Sequence, residues 1–60
     1  MYMKPIEGAE IITYGQKAII TQVVTVNKRR RIYLDSQIVV PTMEYVRDYI
    51  DESEIQSYVL

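Results

Sequence analysis

A mainly all-β fold, a five-stranded small barrel closed by a short C-terminal helix, is the class that the sequence predicts. Three observations lead there. β-Branched residues crowd the stretch from Gly8 to Val40, and such side chains fit a pleated, half-buried backbone. Turn-forming residues interrupt them at short intervals, at Gly15, Asn27-Lys28 and Asp35-Ser36. The chain has only 60 residues and no Cys or His, so neither disulfides nor a zinc site supplements its core.

The elements follow in order. Residues 1–7 form a lead-in, where Pro5 limits regular pairing. Residues 9–14, AEIITY, read as a first strand ended by Gly15. Residues 17–26, KAIITQVVTV, read as a longer second strand with imperfect alternation. Ala18 and Ile20 share a face and Val23 falls on the other, so a bulge or a strong bend near Thr21-Gln22 is expected to bring all three to one core. Asn27-Lys28 then turns the chain, Asn tolerating a left-handed backbone. Residues 30–35 follow, with Ile32 and Leu34 inward and Arg31, Tyr33 and Asp35 outward. Asp35-Ser36 reads as the next turn, residues 37–40 as a fourth strand, and Pro41 as its end.

Residues 42–60 fit two patterns. Met43, Val46 and Ile50 recur at helical spacing, with Thr42 as a cap. YVRDYI (45–50) also alternates, with Val46 and Ile50 on one face and Tyr45, Arg47 and Tyr49 on the other. One helical turn at 42–44 and then a fifth strand is favoured. Ser53 and Gln56 resemble a capping box, which predicts a short helix through Ser57 or Tyr58. The expected organisation is thus a lead-in at 1–7, a barrel at 8–50, and an acidic helix or tail at 51–60.

Composition narrows the function. At 48% hydrophobic and 25% charged residues, the chain is globular in type. A domain this small buries only about 60% of its unfolded surface, so oligomerisation is an expected source of further stability. Without His or Cys, the usual general base, thiol nucleophile and imidazole ligand are missing. Ser36, Ser53 and Ser57 have no base partner in view. Asp48, Asp51, Glu52 and Glu54 lack the alternation and mid-loop Gly of a calcium loop. No glycine-rich phosphate loop occurs. The expectation is a protein that is not an enzyme and uses no cofactor, metal or small-molecule substrate. No apolar run approaches the roughly 20 residues of a membrane span, and the N-terminus has no signal-peptide core, so a soluble, cytoplasmic location is expected.

Charge is unevenly placed. The net charge is −1 and the pI about 5.2. Yet Lys28, Arg29, Arg30 and Arg31 stand side by side, while residues 44–54 carry Glu44, Asp48, Asp51, Glu52 and Glu54 against Arg47 alone. Three readings of the basic run stay open. It grips phosphates, with Tyr33 as a stacking face; it is a solvated hairpin tip; or it pairs with the acidic tail. The six tyrosines are equally open. Tyr33, Tyr45 and Tyr49 are candidate protein-binding residues, because tyrosine is enriched at interfaces, and a tyrosine also suits a barrel rim, its ring buried and its hydroxyl wet. The C-terminal SYVL either covers the barrel's open end or adds to a neighbour's sheet edge.

GAEIITYGQKAIITQV (8–23) resembles the opening hairpin of KOW- and Tudor-type small barrels, and VVPTMEYV (39–46) is similar to the step from strand four to strand five of SH3 domains. The resemblance implies an SH3-like barrel over residues 8–50. A second one is to the carbon-storage regulator family, small intertwined RNA-binding dimers, through Gly15, Arg31-Ile32 and IVVPTMEYV (38–46). The arginine with which that family contacts RNA after its last strand falls on Thr42. Together these imply a non-enzymatic binding module: a protein-interaction or structural subunit, of the compact sort common in phage and bacterial genomes. The alternative is a nucleic-acid (RNA or DNA) binding regulator using Lys28, Arg29, Arg30, Arg31 and Tyr33.

Overall fold

The computed structural model describes residues 4–42 and 45–59. About two-thirds of these are in strands, which make one open antiparallel sheet: β1 (Glu10–Thr13), β2 (Gln16–Val26), β3 (Arg29–Val40), β4 (Tyr45–Asp51) and β5 (Ser57–Tyr58). Their order across the sheet is β4-β3-β2-β1-β5. A single 3-10 turn, η1 (Glu52–Glu54), precedes β5. No helix among the described residues is long and apolar enough to cross a membrane.

Two tight turns set the registers. Tyr14 and Gly15 join β1 to β2 with φ of 49° and 74°, and Asn27 and Lys28 join β2 to β3 with φ of 51° and 66°. Successive left-handed residues make type I′ turns, whose twist matches that of the strands they join. Thr13 then pairs with Gln16, and Val26 with Arg29.

β2 serves two neighbours in succession. Its first half pairs with β1, Ile11 opposite Ala18; its second pairs with β3, Val23 opposite Ile32. Ile20 faces Leu34 and Gln22 faces Tyr33, which leaves Thr21 as an extra residue. This is the expected bulge. It puts Ala18 and Ile20 in the core and packs Val23 against it. The core is otherwise Ile11, Ile32, Leu34, Ile38 and Ile50, flanked by Ala9, Ile55 and Tyr58. Each fully buried isoleucine is worth roughly 2–3 kcal/mol in apolar area removed from water.

Four expectations are corrected. Asp35-Ser36 is not a turn: β3 runs unbroken from Arg29 to Val40, because Asp35 Oδ1 accepts the Ile19 N–H at 2.9 Å and so supports extended backbone. The bend appears instead in the pairing with β4, where Tyr33 faces Tyr49 and Ile38 faces Arg47. That shift upsets alternation, so Val46 stands 47% exposed while Ile50 is buried. The terminal helix is only the 3-10 turn. Its capping box is formed by Asp51 and Glu54 rather than by Ser53 and Gln56, and Ser57–Tyr58 is a strand on β1, with Tyr58 opposite Ile11. SYVL thus adds to this chain's own sheet as far as Val59, whose N–H donates to the Glu10 carbonyl at 2.9 Å. The single helical turn expected at 42–44 falls largely on residues 43 and 44, outside the described residues.

A candidate binding surface on the outer face of β3 and β4

The β2–β3 turn decides where the basic run points. From Arg29 onward the chain is a strand, so side chains alternate and four adjacent cations do not make one patch. Arg29 and Arg31 share the face of Tyr33. Arg30 points the other way and pairs with Glu52 at 2.9 Å, in a solvent-exposed contact that adds little stability. One member of the run therefore meets the acidic tail, as one of the three readings expects. Among the described residues, Lys28, Arg29 and Arg31 have no ion pair.

Cross-strand register gathers the aromatic part. Tyr33 lies opposite Tyr49, with ring centroids 5.9 Å apart and planes tilted by 47°, a favourable arrangement for two quadrupoles. The Arg31 guanidinium carbon sits 4.9 Å from the Tyr49 ring centre, and that of Arg47 sits 5.4 Å from it. Both contacts are cation–π pairs. Tyr49 thus contacts two arginines, Arg31 on the cleft side and Arg47 on the other.

Beside Arg31 lies an open cleft of about 180 Å³ lined by Val26, Asn27, Arg29, Arg31 and Asp51. Asp51 is the N-cap of η1, and its Oδ2 accepts the Ser53 N–H at 3.0 Å and the Ser53 hydroxyl at 2.6 Å. These two bonds hold its carboxyl below the ordinary value, desolvation opposing them and Arg29 adding to them. A carboxylate and two guanidinium groups therefore share one cleft wall.

Tyr45 does not join this cluster. It lies at the far end of β4, opposite Val40, and is 47% exposed. Beside it, Val46 faces Val39 across the ladder, and both are about half exposed.

Adjoining the surface through Arg47 is a polar node that sequence reasoning missed. Glu54 accepts Arg47 at 2.8 Å and the Asp51 N–H at 2.7 Å, and also takes the Tyr14 hydroxyl. The buried Thr13 hydroxyl donates to the Glu54 carbonyl at 2.7 Å. Burial alone raises the Glu54 carboxyl, but the bonds from Tyr14, Asp51 and Arg47 outweigh it and the net shift is downward. The same hydrogen bond to Glu54 is the chief reason the Tyr14 phenol is raised. Burial works against the Arg47 charge, yet Glu54 leaves it more basic than usual. The only trace in the sequence was Arg47 two residues before Tyr49 on an alternating strand, which placed both outward without giving Arg47 a role.

Among the described residues, no three acidic side chains converge as a metal site. Compared with known proteins, the chain matches no protein-family model, no curated protein and no solved structure.

Proposed function

We propose that the protein is a non-enzymatic binding module, a small SH3-like barrel of the cytoplasm that serves as an accessory piece of a larger assembly. The barrel reading is supported by the strand order β4-β3-β2-β1-β5, with a 3-10 turn before the last strand, and by side chains that bridge the opened part of the sheet. Gln16 does so against Val39, and Glu54 joins Arg47 to Tyr14. The binding reading is supported above all by one observation: among the described residues Lys28, Arg29 and Arg31 form no ion pair, and they stand beside a pair of tyrosines in ring contact. With no His or Cys in the chain, holding a partner is what this surface is equipped to do, and its charge suits an anionic one.

Elution from a heparin column in a salt gradient tests this. Wild type is expected to be retained, and Arg29→Glu with Arg31→Glu to elute early. Arg30→Glu, on the other face, is expected to change retention little. Flow-through of the wild type at low salt would remove the proposal.

A second reading, a protein partner or a second copy, is favoured by the exposed Tyr45, Val46 and Val39. Sedimentation over a concentration series, with Val46→Lys as the variant, tests self-association; a monomer at every concentration counts against it.

A further inference from the structure

We infer that the cleft beside Arg31 is a nucleobase pocket and that the anionic partner is a single-stranded nucleic acid carrying guanine. This rests on the binding-module reading above and narrows its ligand. A bare phosphate does not suit the cleft, because the Asp51 carboxylate forms part of the wall that Arg29 and Arg31 line. The occupant has to offer N–H donors to a carboxylate and acceptors to a guanidinium within a few ångströms of each other.

Among the four bases guanine does this best. Its N1–H and N2–H groups lie side by side, and its O6 and N7 atoms accept a bidentate arginine. Ser53 occupies Oδ2 of Asp51, and among the described residues Oδ1 has no hydrogen-bond partner, so a guanine N–H donates there. Base pairing in a duplex hides that edge of guanine, which selects a single strand.

The surroundings fit a strand running past the cleft. Lys28 is exposed at the turn and, with Arg29, meets the sugar–phosphate backbone as a charge contact. Tyr33 is half-buried on the same face, and its ring gives a neighbouring base a stacking surface. Tyr49, held between Arg31 and Arg47, positions the Arg31 fork rather than touching the ligand.

Fluorescence anisotropy of the full chain tests the inference. The probes are labelled oligothymidylates of about eight nucleotides with one central deoxyguanosine, deoxyadenosine or deoxycytidine, the duplex of the first, and an acidic peptide of equal charge. The guanine strand is expected to bind about tenfold more tightly than the other two, and the duplex more weakly. Asp51→Asn keeps the cap of the 3-10 turn and is expected to erase the guanine preference, so that the three strands bind alike. Tyr33→Ala is expected to weaken all strands about tenfold, with circular dichroism confirming the fold of each variant. Equal binding of the three strands by wild type, a comparison that needs no variant, overturns the inference. So does an acidic peptide that binds as well as the guanine strand, which instead points to a protein partner. Retention on heparin without binding to any oligonucleotide sinks this inference and leaves the anionic-module reading standing; binding to neither sinks both.

Discussion

Glu54, in the turn after β4, meets Arg47 from within β4 at 2.8 Å, and both side chains are mostly withdrawn from solvent, 22% and 15% exposed. The same carboxylate holds the Asp51 N–H and the Tyr14 hydroxyl. It thereby ties the β1–β2 hairpin, at one side of the sheet, to β4 at the other. Among the described residues no backbone ladder joins those two places, so side chains do it.

Replacing Glu54 is therefore expected to cost more than a surface ion pair. Glu54→Ala leaves the Arg47 charge largely buried and uncompensated, and a loss of about 2–3 kcal/mol is expected. Arg47→Met, which removes the charge and keeps the apolar stem, is expected to cost less. Urea unfolding of both variants and of their double mutant measures the difference.

Acid is expected to destabilise the fold through the same node. The carboxyls of Glu54 and Asp51 both lie below their ordinary values of 4.5 and 3.8. The unfolded chain takes up protons first as pH falls, so their contribution is complete above about pH 5 and drains away below it. Thermal unfolding followed between pH 7 and pH 3 should show a falling midpoint. In Glu54→Gln the fall should be shallower, because one linked proton is gone. A curve as steep as wild type in that variant contradicts the assignment.

Alkaline pH acts on Tyr14 in the opposite sense. Its phenol is raised above 10.0 by the bond to Glu54, so that bond stabilises the fold below pH 10 and is lost as pH rises through the folded value. Tyr14→Phe is expected to flatten the alkaline arm of the melting profile and, because the Tyr14 hydroxyl leads the bonds that lower the Glu54 carboxyl, to make the acid arm shallower as well.

Lys28 sits at φ 66° in the second position of its turn, where a side chain is strained and glycine is not. Lys28→Gly is expected to stabilise the fold by about 0.5–1 kcal/mol. A denaturation midpoint that falls instead would show the turn geometry to be misassigned. The same variant should weaken heparin retention modestly, since one cation is lost.

Gln16 behaves as a one-residue strand. Its amide accepts the Val39 N–H at 3.0 Å and donates to the Val39 carbonyl at 2.9 Å, where β3 has left β2. Gln16→Ala is expected to cost about 1 kcal/mol, since water can reach this exposed site. It should also speed hydrogen exchange at the Val39 amide, and an unchanged exchange rate there contradicts the bridge.

What the sequence made legible was local. An irregularity at Thr21-Gln22, a bulge or a bend, could be read from the parity of Ala18, Ile20 and Val23, because burying all three on one face requires one. The left-handed turn at Asn27-Lys28 and the outward set Arg31 and Tyr33 followed from short-range chemistry. The errors came from contacts distant in sequence. Asp35-Ser36 has turn chemistry, but Ile19, sixteen residues earlier, engages the aspartate and keeps the strand extended. Val46, expected on one face with Ile50, differs from it in burial because β3 pairs irregularly with β4 between Tyr33 and Ile38, which no periodicity in β4 alone reveals. At the candidate surface, the pairing of Tyr33 with Tyr49 needed the register of two strands, whereas Tyr45 shared only their residue type.

The placement of Arg30 has a consequence for how the molecule can change. Strand geometry sends Arg30 to the acidic turn and its two neighbours to the opposite face of the strand, so adjacent codons answer to separate demands. Drift at position 30 alters how firmly the tail is latched, and drift at 29 or 31 alters what the surface attracts. Grip and latch can be adjusted one at a time.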